Sequence, residues 1–474
     1  MITKLTKPIL WYTSIALILS YAAAIHYATP ALLLLPILVG GTVYIAYQPT
    51  LAWYVLIAVL ALSTEYNVTT TLTLDVPDEP LMIYLTLLTI ILLALKHISI
   101  PQQLYTHSIT SLVLLSTVWA LVTAGTSSSI VVSIKYILAK VWYIIPFLLL
   151  TYTYITSTKQ FIILATILCS SMLCTVVYIM IRHTALGLQF TTINDAVAPF
   201  YRNHVNYAAM LVCCIPIIYY AILHTTKVTL RNILIGVIIL CILALILTYS
   251  RGAWLALVVG VVAQLLIKKK LLCITYITAI LFIIGAVTWL AQGNRYLQYH
   301  HNYKKTIFHA NFNDHINATF AGTDMSNAER INRWVAAVRL SSDHMLVGTG
   351  PNTFTNNYKP YMVSYYKTWV SANTEQSTVH NYMLLLLTEQ GIPALVLYLL
   401  LIGVALYKVQ KLYHKYTIPI LKSIVLCVGV VLCMVVTLNM LSDLIEADKI
   451  GSLYYLCLGC IIVLDVRYKQ LNTT

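Results

Sequence analysis

The sequence has few charged residues: only 9% of its 474 residues are Asp, Glu, Lys or Arg, whereas 60% are hydrophobic. Soluble domains carry about 25% charged residues, so this composition excludes an ordinary soluble domain. The few charges are mostly positive and give the chain a net charge of +14. We interpret this excess as anchoring at one side of a membrane rather than as a nucleic-acid binding surface.

Familiar catalytic and metal-binding motifs are also missing. The sequence contains no Walker, Rossmann or HExxH pattern. None of its ten cysteines lies in the polar segment 292–379, which excludes a disulfide framework or a cysteine-based zinc site there. Asp75, Asp78 and Glu79 form one acidic cluster that could hold a divalent cation, but two adjacent prolines favour a simple turn. We therefore expect neither a metal nor another cofactor.

Long apolar runs fill most of the remaining sequence. A membrane-spanning helix needs about 20 mostly apolar residues, and backbone groups in lipid must bond within their own segment. Two of the fourteen candidate runs, 51–63 and 253–267, are short, so twelve is the lower count. The runs are 9–27, 31–47, 51–63, 80–95, 108–124, 137–155, 160–181, 204–223, 232–248, 253–267, 271–291, 392–407, 420–438 and 451–466. The sequence thus predicts an all-α, polytopic transmembrane helix bundle with 12–14 spans.

The distribution of Lys and Arg among the connections predicts the orientation of this bundle. One side receives fifteen cations: Lys4, Lys7, Lys96, Lys159, Lys227, Arg231, Lys268, Lys269, Lys270, Lys408, Lys411, Lys415, Lys422, Arg467 and Lys469. The short connections on the other side receive six: Lys135, Lys140, Arg182, Arg202, Arg251 and Lys449. We therefore expect both termini in the cytoplasm and the polar segment outside. This gives three parts: an N-terminal bundle (1–291), a loop with an interfacial helix (292–391) and C-terminal spans (392–474).

The polar segment is the one long hydrophilic loop between predicted spans. Charged residues at a bilayer usually have a function, because they are costly to bury there. Ser326 and Glu329 have the spacing of a capping box, which predicts a helix that begins there. The apolar residues that follow are spaced to bury one helix face: Ile331, Trp334, Val335 and Val338. Aromatic residues further on suit a membrane interface or a sugar ring: Tyr358, Tyr361, Tyr365, Tyr366 and Trp369. The loop is therefore predicted to be partly helical and to cap the outer surface.

Cations on this outer side are the candidate ligands for a phosphate group, because guanidinium groups bind phosphate oxygens bidentately and keep their charge. Arg251 stands in a tight turn between two spans, and a snorkelling role is the alternative. Arg330 and Arg333 lie near the start of the loop helix, where a positive charge opposes the helix dipole. Arg333 can also pair with Glu329 four residues earlier. Arg202, just before a span, either helps to hold phosphate or anchors the helix.

His380 is the candidate general base, since a neutral imidazole can take a proton from a hydroxyl near neutral pH. An ordinary polar role at the membrane surface is the alternative. The run from His380 to Tyr407 is too long for one straight span and contains Glu389, which would be costly in the middle of a bilayer. We therefore expect an interfacial helix over 380–389, with the true span starting near Ile392.

Several of these motifs together resemble the superfamily of O-antigen ligases and O-antigen polymerases, which are polytopic glycosyltransferases of the bacterial envelope. The resemblance covers about 230–400 and rests on four groups of residues. These are Ser250-Arg251-Gly252-Ala253, Arg330-x-x-x-Trp334, the stretch from Leu346 to Phe354 with Gly348-Thr349-Gly350-Pro351-Asn352, and His380-Asn381 with Glu389 and Gly391-Ile392-Pro393.

This resemblance implies a metal-independent, inverting transferase in the bacterial inner membrane. Its donor would be a glycan on undecaprenyl diphosphate, and its acceptor a hydroxyl at the periplasmic face, either on lipid A–core (ligase) or on another carrier-linked glycan (polymerase). Carried over by motif, Arg251 and Arg330 would bind the diphosphate and His380 would deprotonate the acceptor. The sequence does not separate ligase from polymerase. A lipid or solute transporter is the alternative of another class, although transporters often show internal repeats and midplane charges that this sequence lacks.

Overall fold

The computed structural model describes residue 15 and residues 19–21, 48–67, 73–299, 324–368, 371 and 378–473. Within these ranges the chain is almost entirely helical. The short helices are α1 Pro49–Val59, α3 Gln102–Tyr105, α7 Ile193–Val197, α13 Phe354–Asn357 and α17 Tyr468–Thr473. The long helices are α2 Asp78–Ala94, α4 Ser108–Gly125, α5 Ile130–Tyr154, α6 Thr158–Ala185, α8 His204–His224, α9 Val228–Leu247, α10 Arg251–Lys268, α11 Leu272–Ala291, α12 Met325–Asp343, α14 Tyr382–Lys415, α15 Pro419–Leu441 and α16 Asp448–Val466.

Ten helices among the described residues are long and apolar enough to cross a membrane: α4, α5, α6, α8, α9, α10, α11, α14, α15 and α16. This confirms the all-α polytopic bundle. The runs at 51–63 and 80–95 correspond to α1 and α2, which are shorter. The first two predicted spans, 9–27 and 31–47, lie outside the described residues apart from a few positions.

The bundle is built around α16, which is buried along almost its whole length. Helices α8 and α15 contact it and are themselves largely buried. Helix α11 lies at the periphery and exposes large apolar side chains, such as Phe282, which is 78% exposed. An apolar helix surface of this kind is stable only in hydrocarbon, which agrees with the membrane assignment.

One end of the bundle, called the loop side below, collects α12 and the connections 186–203, 248–250 and 442–447. The Tyr249 hydroxyl donates to the Leu188 carbonyl at 2.7 Å and so joins two of these connections. A hairpin of strands β1 Thr64–Asn67 and β2 Thr73–Val76, paired antiparallel with Thr64 opposite Val76, precedes α2.

Helix α14 is broken at Gly391, near the predicted start of the span. Gly391 has φ +76°, and a Cβ there would lie 2.2 Å from the Leu346 carbonyl oxygen, so only glycine fits. The half-helix before the break is not on the surface, as an interfacial helix would be. Leu385, Leu386 and Glu389 are all buried, because this half-helix packs against α4 inside the bundle.

Helix α12 departs from the sequence prediction in two respects. Its N-cap is Asp324, whose side chain accepts from the Asn327 amide at 3.2 Å, so the capping box at Ser326 and Glu329 is wrong. The predicted apolar face is also wrong, because Ile331 and Val338 are 39% and 40% exposed. The buried face carries small and polar residues instead: Ala328, Glu329, Asn332, Ala336, Ala337 and Leu340. Small side chains let α12 approach the rest of the loop and α14 closely.

Candidate functional site

Arg251 is positioned by the turn that joins α9 to α10. Thr248 stabilises the end of α9 by donating from its hydroxyl to the Leu245 carbonyl at 2.6 Å. Tyr249 then adopts φ +55°, the left-handed conformation that reverses the chain. Arg251 follows as the first residue of α10, so its side chain projects from the loop side of the bundle.

The Arg251 guanidinium reaches across to the start of α12. Its Nη2 donates to Asp324 Oδ2 at 3.1 Å, and the Asp324 side chain is only 2% exposed. Its Nη1 is buried and has no hydrogen-bond partner among the described residues. A buried N–H without an acceptor is costly, so Nη1 is a ready donor for an oxygen of a bound anion.

Arg330 lies on α12, six residues after this cap, and belongs to the same cluster of charges. Burial lowers the pKa of Arg330 from its usual value, and the positive charges of Arg251 and Arg333 lower it further, while Asp324 opposes them. Two guanidiniums that repel each other in a partly buried site are stabilised by an anion between them. The structure thus brings together Arg251 and Arg330, which the sequence places in different parts of the chain.

Arg333 is held chiefly by protein groups. Its Nη2 donates to Glu329 Oε2 at 3.3 Å, the pair expected from the sequence, and its Nη1 donates to the Thr378 carbonyl at 3.4 Å. Glu329 also accepts from the hydroxyls of Thr368 and Ser371. Arg333 therefore connects α12 to the residues just before His380 and adds positive charge to the site.

His380 is fixed by the residues on both sides of it. Trp334 Nε1 donates to the Val379 carbonyl at 3.1 Å, and Asn381 caps α14 by accepting from the Leu384 amide at 3.1 Å. His380 itself has φ +55°, a conformation that is uncommon for a residue with a side chain and that clusters at functional sites. Its imidazole is 32% exposed, so it is anchored yet reachable.

The surroundings of His380 keep the imidazole neutral. Burial lowers its pKa to about 4, with further contributions from the positive charges of Arg330 and Arg333. Its Nδ1 lies 4.0 Å from Asp443 Oδ1, in the connection between α15 and α16. Burial raises the pKa of Asp443. At neutral pH the ring is therefore unprotonated, as a general base must be, and Asp443 lies where a carboxylate would stabilise the imidazolium that forms on proton transfer.

Arg202, the fifth predicted site residue, lies elsewhere. It is exposed and lines a cavity between the β-hairpin and α16, where the other charged side chains are mostly carboxylates. None of Arg251, Arg330 or His380 lines that cavity. The structure therefore does not group Arg202 with the residues predicted to bind diphosphate.

The acidic cluster at the start of α2 is held by local hydrogen bonds. Asp78 is fully buried and accepts from the Ser63 hydroxyl at 3.0 Å, and Glu79 accepts from the Asp75 amide at 2.9 Å. Across the described part of the chain, no group of three or more His, Cys, Asp or Glu has an arrangement that could hold a metal ion.

Three acidic residues of this region were given no functional role by the sequence analysis. Asp324 forms an ion pair with Arg251, and Asp443 lies 4.0 Å from His380. Glu389 closes the glycine-rich turn: its carboxylate accepts from the amides of Asn352 at 2.7 Å and Phe354 at 2.9 Å. The capping preference of Asp was a signal for Asp324, but nothing local in the sequence marks Asp443, because two spans separate it from His380.

A comparison with curated proteins gives no match. Residues 236–399 match the family model described as O-antigen ligase. This range contains Arg251, Arg330, Arg333 and His380, and it agrees with the 230–400 region in which the sequence motifs lie. The match confirms the resemblance: the chain is a multi-pass membrane protein, and its residues 236–399 are similar to the O-antigen ligase family, whose model supports a membrane glycosyltransferase of that type.

Proposed function

We propose that this protein transfers a glycan from undecaprenyl diphosphate to a hydroxyl of lipid A–core, at the periplasmic face of the bacterial inner membrane. The observation that carries the proposal is the meeting of three groups from separate segments. Arg251 comes from a turn between spans, Arg330 from the loop helix, and His380 from the segment before α14. A cationic clamp beside a neutral base is what a reaction with an anionic leaving group requires.

Arg251 and Arg330 would bind the diphosphate. Charge-assisted hydrogen bonds to phosphate oxygens strengthen as the leaving group gains charge, so each donor lowers the barrier by about 3–4 kcal/mol. The unpartnered Nη1 of Arg251 supports this role, and so do the burial and the neighbouring positive charges that lower the pKa of Arg330. Two fixed guanidiniums can supply the positive charge that a divalent cation provides in other transferases.

His380 would act as general base. The acceptor oxygen attacks the anomeric carbon as the bond from that carbon to the diphosphate oxygen breaks, and the hydroxyl proton passes to His380. A single displacement of this kind inverts the anomeric configuration. A pKa of about 4 makes the free imidazole a weak base. A bound diphosphate would offset the charges of Arg330 and Arg333, so the basicity of His380 would rise when the donor is in place.

The orientation of the bundle supports the periplasmic assignment. The end opposite the loop side carries Lys268 at the end of α10, followed by Lys269 and Lys270, and Lys415 at the end of α14. Cytoplasmic connections are enriched in Lys and Arg. On this basis the loop side, with Arg251 and His380, would face the periplasm.

Polymerisation of carrier-linked repeats is the alternative within the same superfamily, since both reactions use the same donor and leaving group. The glycolipid profile of a deletion strain separates them. Loss of polymer from lipid A with accumulation of carrier-linked polymer indicates a ligase, whereas single repeats on lipid A indicate a polymerase.

The transferase proposal is tested with purified protein in lipid nanodiscs, an undecaprenyl-diphosphate-linked glycan and a lipid A–core acceptor. His380→Ala and Arg251→Ala should abolish transfer by protein that is still expressed and folded. Arg251→Ala should also lower the thermal stability, because its hydrogen bond to the buried Asp324 is lost. Arg339→Ala is the matched control, because Arg339 is an exposed arginine on the same loop helix as Arg330. Wild-type transfer by both site variants would refute the proposed roles.

A further inference from the structure

Lys140 is a buried cation inside the bundle, and the proposed reaction makes no direct use of it. It lies in the interior of α5, and its side chain is only 8% exposed. A charged side chain within a span is costly to bury and usually has a function. Lys135, on the same helix, is exposed and carries a smaller cost. The partners of Lys140 therefore indicate what its charge does.

The main partner of Lys140 is a carboxylate from the loop side. Lys140 Nζ lies 2.9 Å from Oε2 of Glu446, in the connection between α15 and α16. The same ammonium group lies over the rings of Tyr136 and Tyr382, 5.0 Å and 5.8 Å from their centroids. A cation over an aromatic face is stabilised by the negative potential of the ring. Lys140 is thus held in one place between α5, α14 and the connection.

The Glu446 carboxylate is fixed through both of its oxygens. Oε2 pairs with Lys140, and Oε1 accepts from the Tyr136 hydroxyl at 3.2 Å. The side-chain amide of Gln390, on α14, donates in turn to the Tyr136 hydroxyl at 3.4 Å. A carboxylate that is held at both oxygens has one orientation, so the negative charge of Glu446 occupies a defined position.

Glu446 and Asp443 belong to a single turn of the connection, so fixing one of them places the other. The Glu446 amide donates to the Asp443 carbonyl at 3.0 Å. The Ile445 amide donates to the Asn439 side chain at 2.8 Å and so holds the same turn against the end of α15. Asp443 Oδ1 lies 4.0 Å from His380 Nδ1. The pair of Lys140 with Glu446 is therefore one turn away from the contact with His380.

The carboxyl of Asp443 lies in surroundings that disfavour its charge. Burial raises its pKa and the negative charge of Glu446 raises it further, whereas the Thr378 side chain and the charge of Arg333 lower it. A neutral Asp443 could not stabilise an imidazolium beside it. Lys140 places a positive charge next to Glu446, and opposite charges at this distance offset each other's effect on a third group.

The other charged or titratable groups near this connection do not replace Lys140. His380 is unprotonated at neutral pH, and Glu389, on α14, is itself acidic. Arg333 on α12 and Lys449 at the start of α16 each lie beside another carboxylate. Lys140 is therefore the cation placed to balance the charge of Glu446.

We propose that Lys140 is a positioning residue for the transfer reaction: its pair with Glu446 fixes the connection that carries Asp443 and balances the negative charge there, so that Asp443 can stabilise the imidazolium of the proposed base. This role in the reaction rests on the transferase function proposed above. The coupling of the pair to Asp443 is a property of the folded protein, and it can be measured without donor or acceptor.

A simple structural tie between α5 and the connection is the alternative, and the balance of charge distinguishes the two. If the pair only held the connection in place, Lys140→Met and Glu446→Gln would impair the protein alike, and removing both charges would be no better. If the pair balances charge, Lys140→Met leaves an unopposed negative charge near Asp443, whereas Glu446→Gln does not. Adding Glu446→Gln to Lys140→Met should then restore the wild-type ionisation of Asp443.

The test measures the ionisation of Asp443 and the transfer rate separately, on the full chain in lipid nanodiscs. NMR of protein with ¹³C-labelled aspartate, with the signal assigned by Asp443→Asn, gives the pKa of Asp443 without substrates. Initial rates with an undecaprenyl-diphosphate-linked glycan and a lipid A–core acceptor give kcat and KM as functions of pH. Lys140→Arg keeps the charge, and Lys135→Met is the matched control, since it removes an exposed lysine from the same helix.

We expect Lys140→Met to raise the pKa of Asp443 by about one unit, because the charge of Glu446 is no longer offset. The acid limb of kcat should move to higher pH by a similar amount. The KM for the donor should stay near the wild-type value, since both guanidiniums that are proposed to bind it are retained. Lys140→Arg, Lys135→Met and the double variant Lys140→Met with Glu446→Gln should behave as the wild type does.

Glu446→Gln alone keeps the inference testable if Lys140→Met does not fold. It removes the negative charge and leaves Lys140 in place, so the pKa of Asp443 should fall. An unchanged pKa of Asp443 in the folded variants would overturn the inference, and so would a rise in Lys140→Met that Glu446→Gln does not reverse.

The rates decide whether this coupling serves the reaction. A shifted pKa of Asp443 with an unchanged pH profile of kcat would show that Lys140 does not act on transfer. If the pKa of Asp443 responds as expected but the wild type transfers no glycan, the proposed function fails, and the coupling between the Lys140–Glu446 pair and Asp443 stands.

Discussion

Arg251 Nη2 donates to Asp324 Oδ2 at 3.1 Å, so the turn between α9 and α10 is tied to the first residue before α12. The same carboxylate oxygen accepts from the Asn327 amide at 3.2 Å. Asp324 therefore does two things at once: it caps the helix that carries Arg330, and it orients the guanidinium of Arg251. The spacing of the two arginines in the site depends on this one side chain.

Asp324→Asn should separate these two contributions, because asparagine is a good N-cap but has no charge. We expect the free energy of unfolding to fall by about 1–3 kcal/mol, since a charged hydrogen bond to Arg251 is lost. Transfer should fall by roughly tenfold or more, because a small displacement of a binding group is costly to the rate. Thermal unfolding and initial rates in nanodiscs measure both effects.

Asp343→Asn is the control for this substitution, since Asp343 is an exposed aspartate at the other end of α12 that accepts from the Tyr361 hydroxyl. It should leave stability and rate nearly unchanged. Equal behaviour of the two variants would show that Asp324 does not position Arg251.

The titration of His380 should respond to its neighbours. Three charged groups face it: Arg330 and Arg333 from α12, and Asp443 from the connection after α15. Arg330→Gln removes one positive charge, so the pKa of His380 should rise from about 4 toward its ordinary value. NMR of protein with ¹³C-labelled histidine, with the signal assigned by His380→Gln, measures the change. An unchanged pKa would mean that Arg330 is too far from the imidazole to form a shared site.

The low pKa of His380 also predicts how stability changes with pH. The folded value is about 4, and the unfolded value is about 6.5. Between these pH values the unfolded chain binds more protons, so the contribution of His380 to the free energy of unfolding decreases as the pH falls from about 6.5 to about 4. The wild type should therefore lose more stability than His380→Gln over this interval, as measured by thermal unfolding in nanodiscs.

Glu389 is expected to be structural although it belongs to the motifs of the family resemblance. Glu389→Gln keeps one acceptor oxygen but loses one of the two backbone hydrogen bonds, to Asn352 or Phe354. We expect the free energy of unfolding to fall by about 1–3 kcal/mol. The pH dependence of transfer by the folded fraction should stay the same. Loss of transfer at unchanged thermal stability would instead place Glu389 in the chemistry.

Gly391→Ala should be severely destabilising, because the added Cβ would lie 2.2 Å from the Leu346 carbonyl oxygen and φ is +76°. A backbone carbonyl cannot move aside without breaking the bond from the Ile392 amide to the Met345 carbonyl. We expect a loss of about 2–3 kcal/mol or more. Gly236→Ala is the control, since a Cβ at Gly236 meets nothing within 4 Å and alanine favours the helix. Similar melting temperatures for the two variants would contradict the close contact.

Most of the fold could be predicted from the sequence, because a segment that crosses lipid must form all its backbone hydrogen bonds internally and is therefore helical. The apolar runs from 80 to 466 correspond to helices, and the breaks near Tyr249 and Gly391 lie at or close to where the chain turns or kinks. The details of α12 were less predictable. Asp324, Ser326 and Asn327 are all good capping residues, and the sequence does not show which of them caps the helix.

The candidate site could be predicted in part. The family motifs indicated Arg251, Arg330 and His380, and so did their position as polar residues on the outer side of an apolar chain. Their chemical roles remain predictions. The exposed Ile331 and the buried Glu329 reverse the expected pattern of α12, because its buried face contacts a polar loop rather than an apolar core. Asp443 was missed since contacts between distant segments depend on how the spans pack.

The most direct test of the central claim is the equilibrium binding of undecaprenyl diphosphate to nanodisc-embedded protein in a double-mutant cycle of Arg251→Ala and Arg330→Ala. If both guanidiniums hold the same diphosphate, each substitution should weaken binding by about tenfold or more, and the double substitution should weaken it by clearly less than the product of the two effects. Wild-type affinity in either single variant, or fully additive losses in the double variant, would contradict a shared diphosphate site.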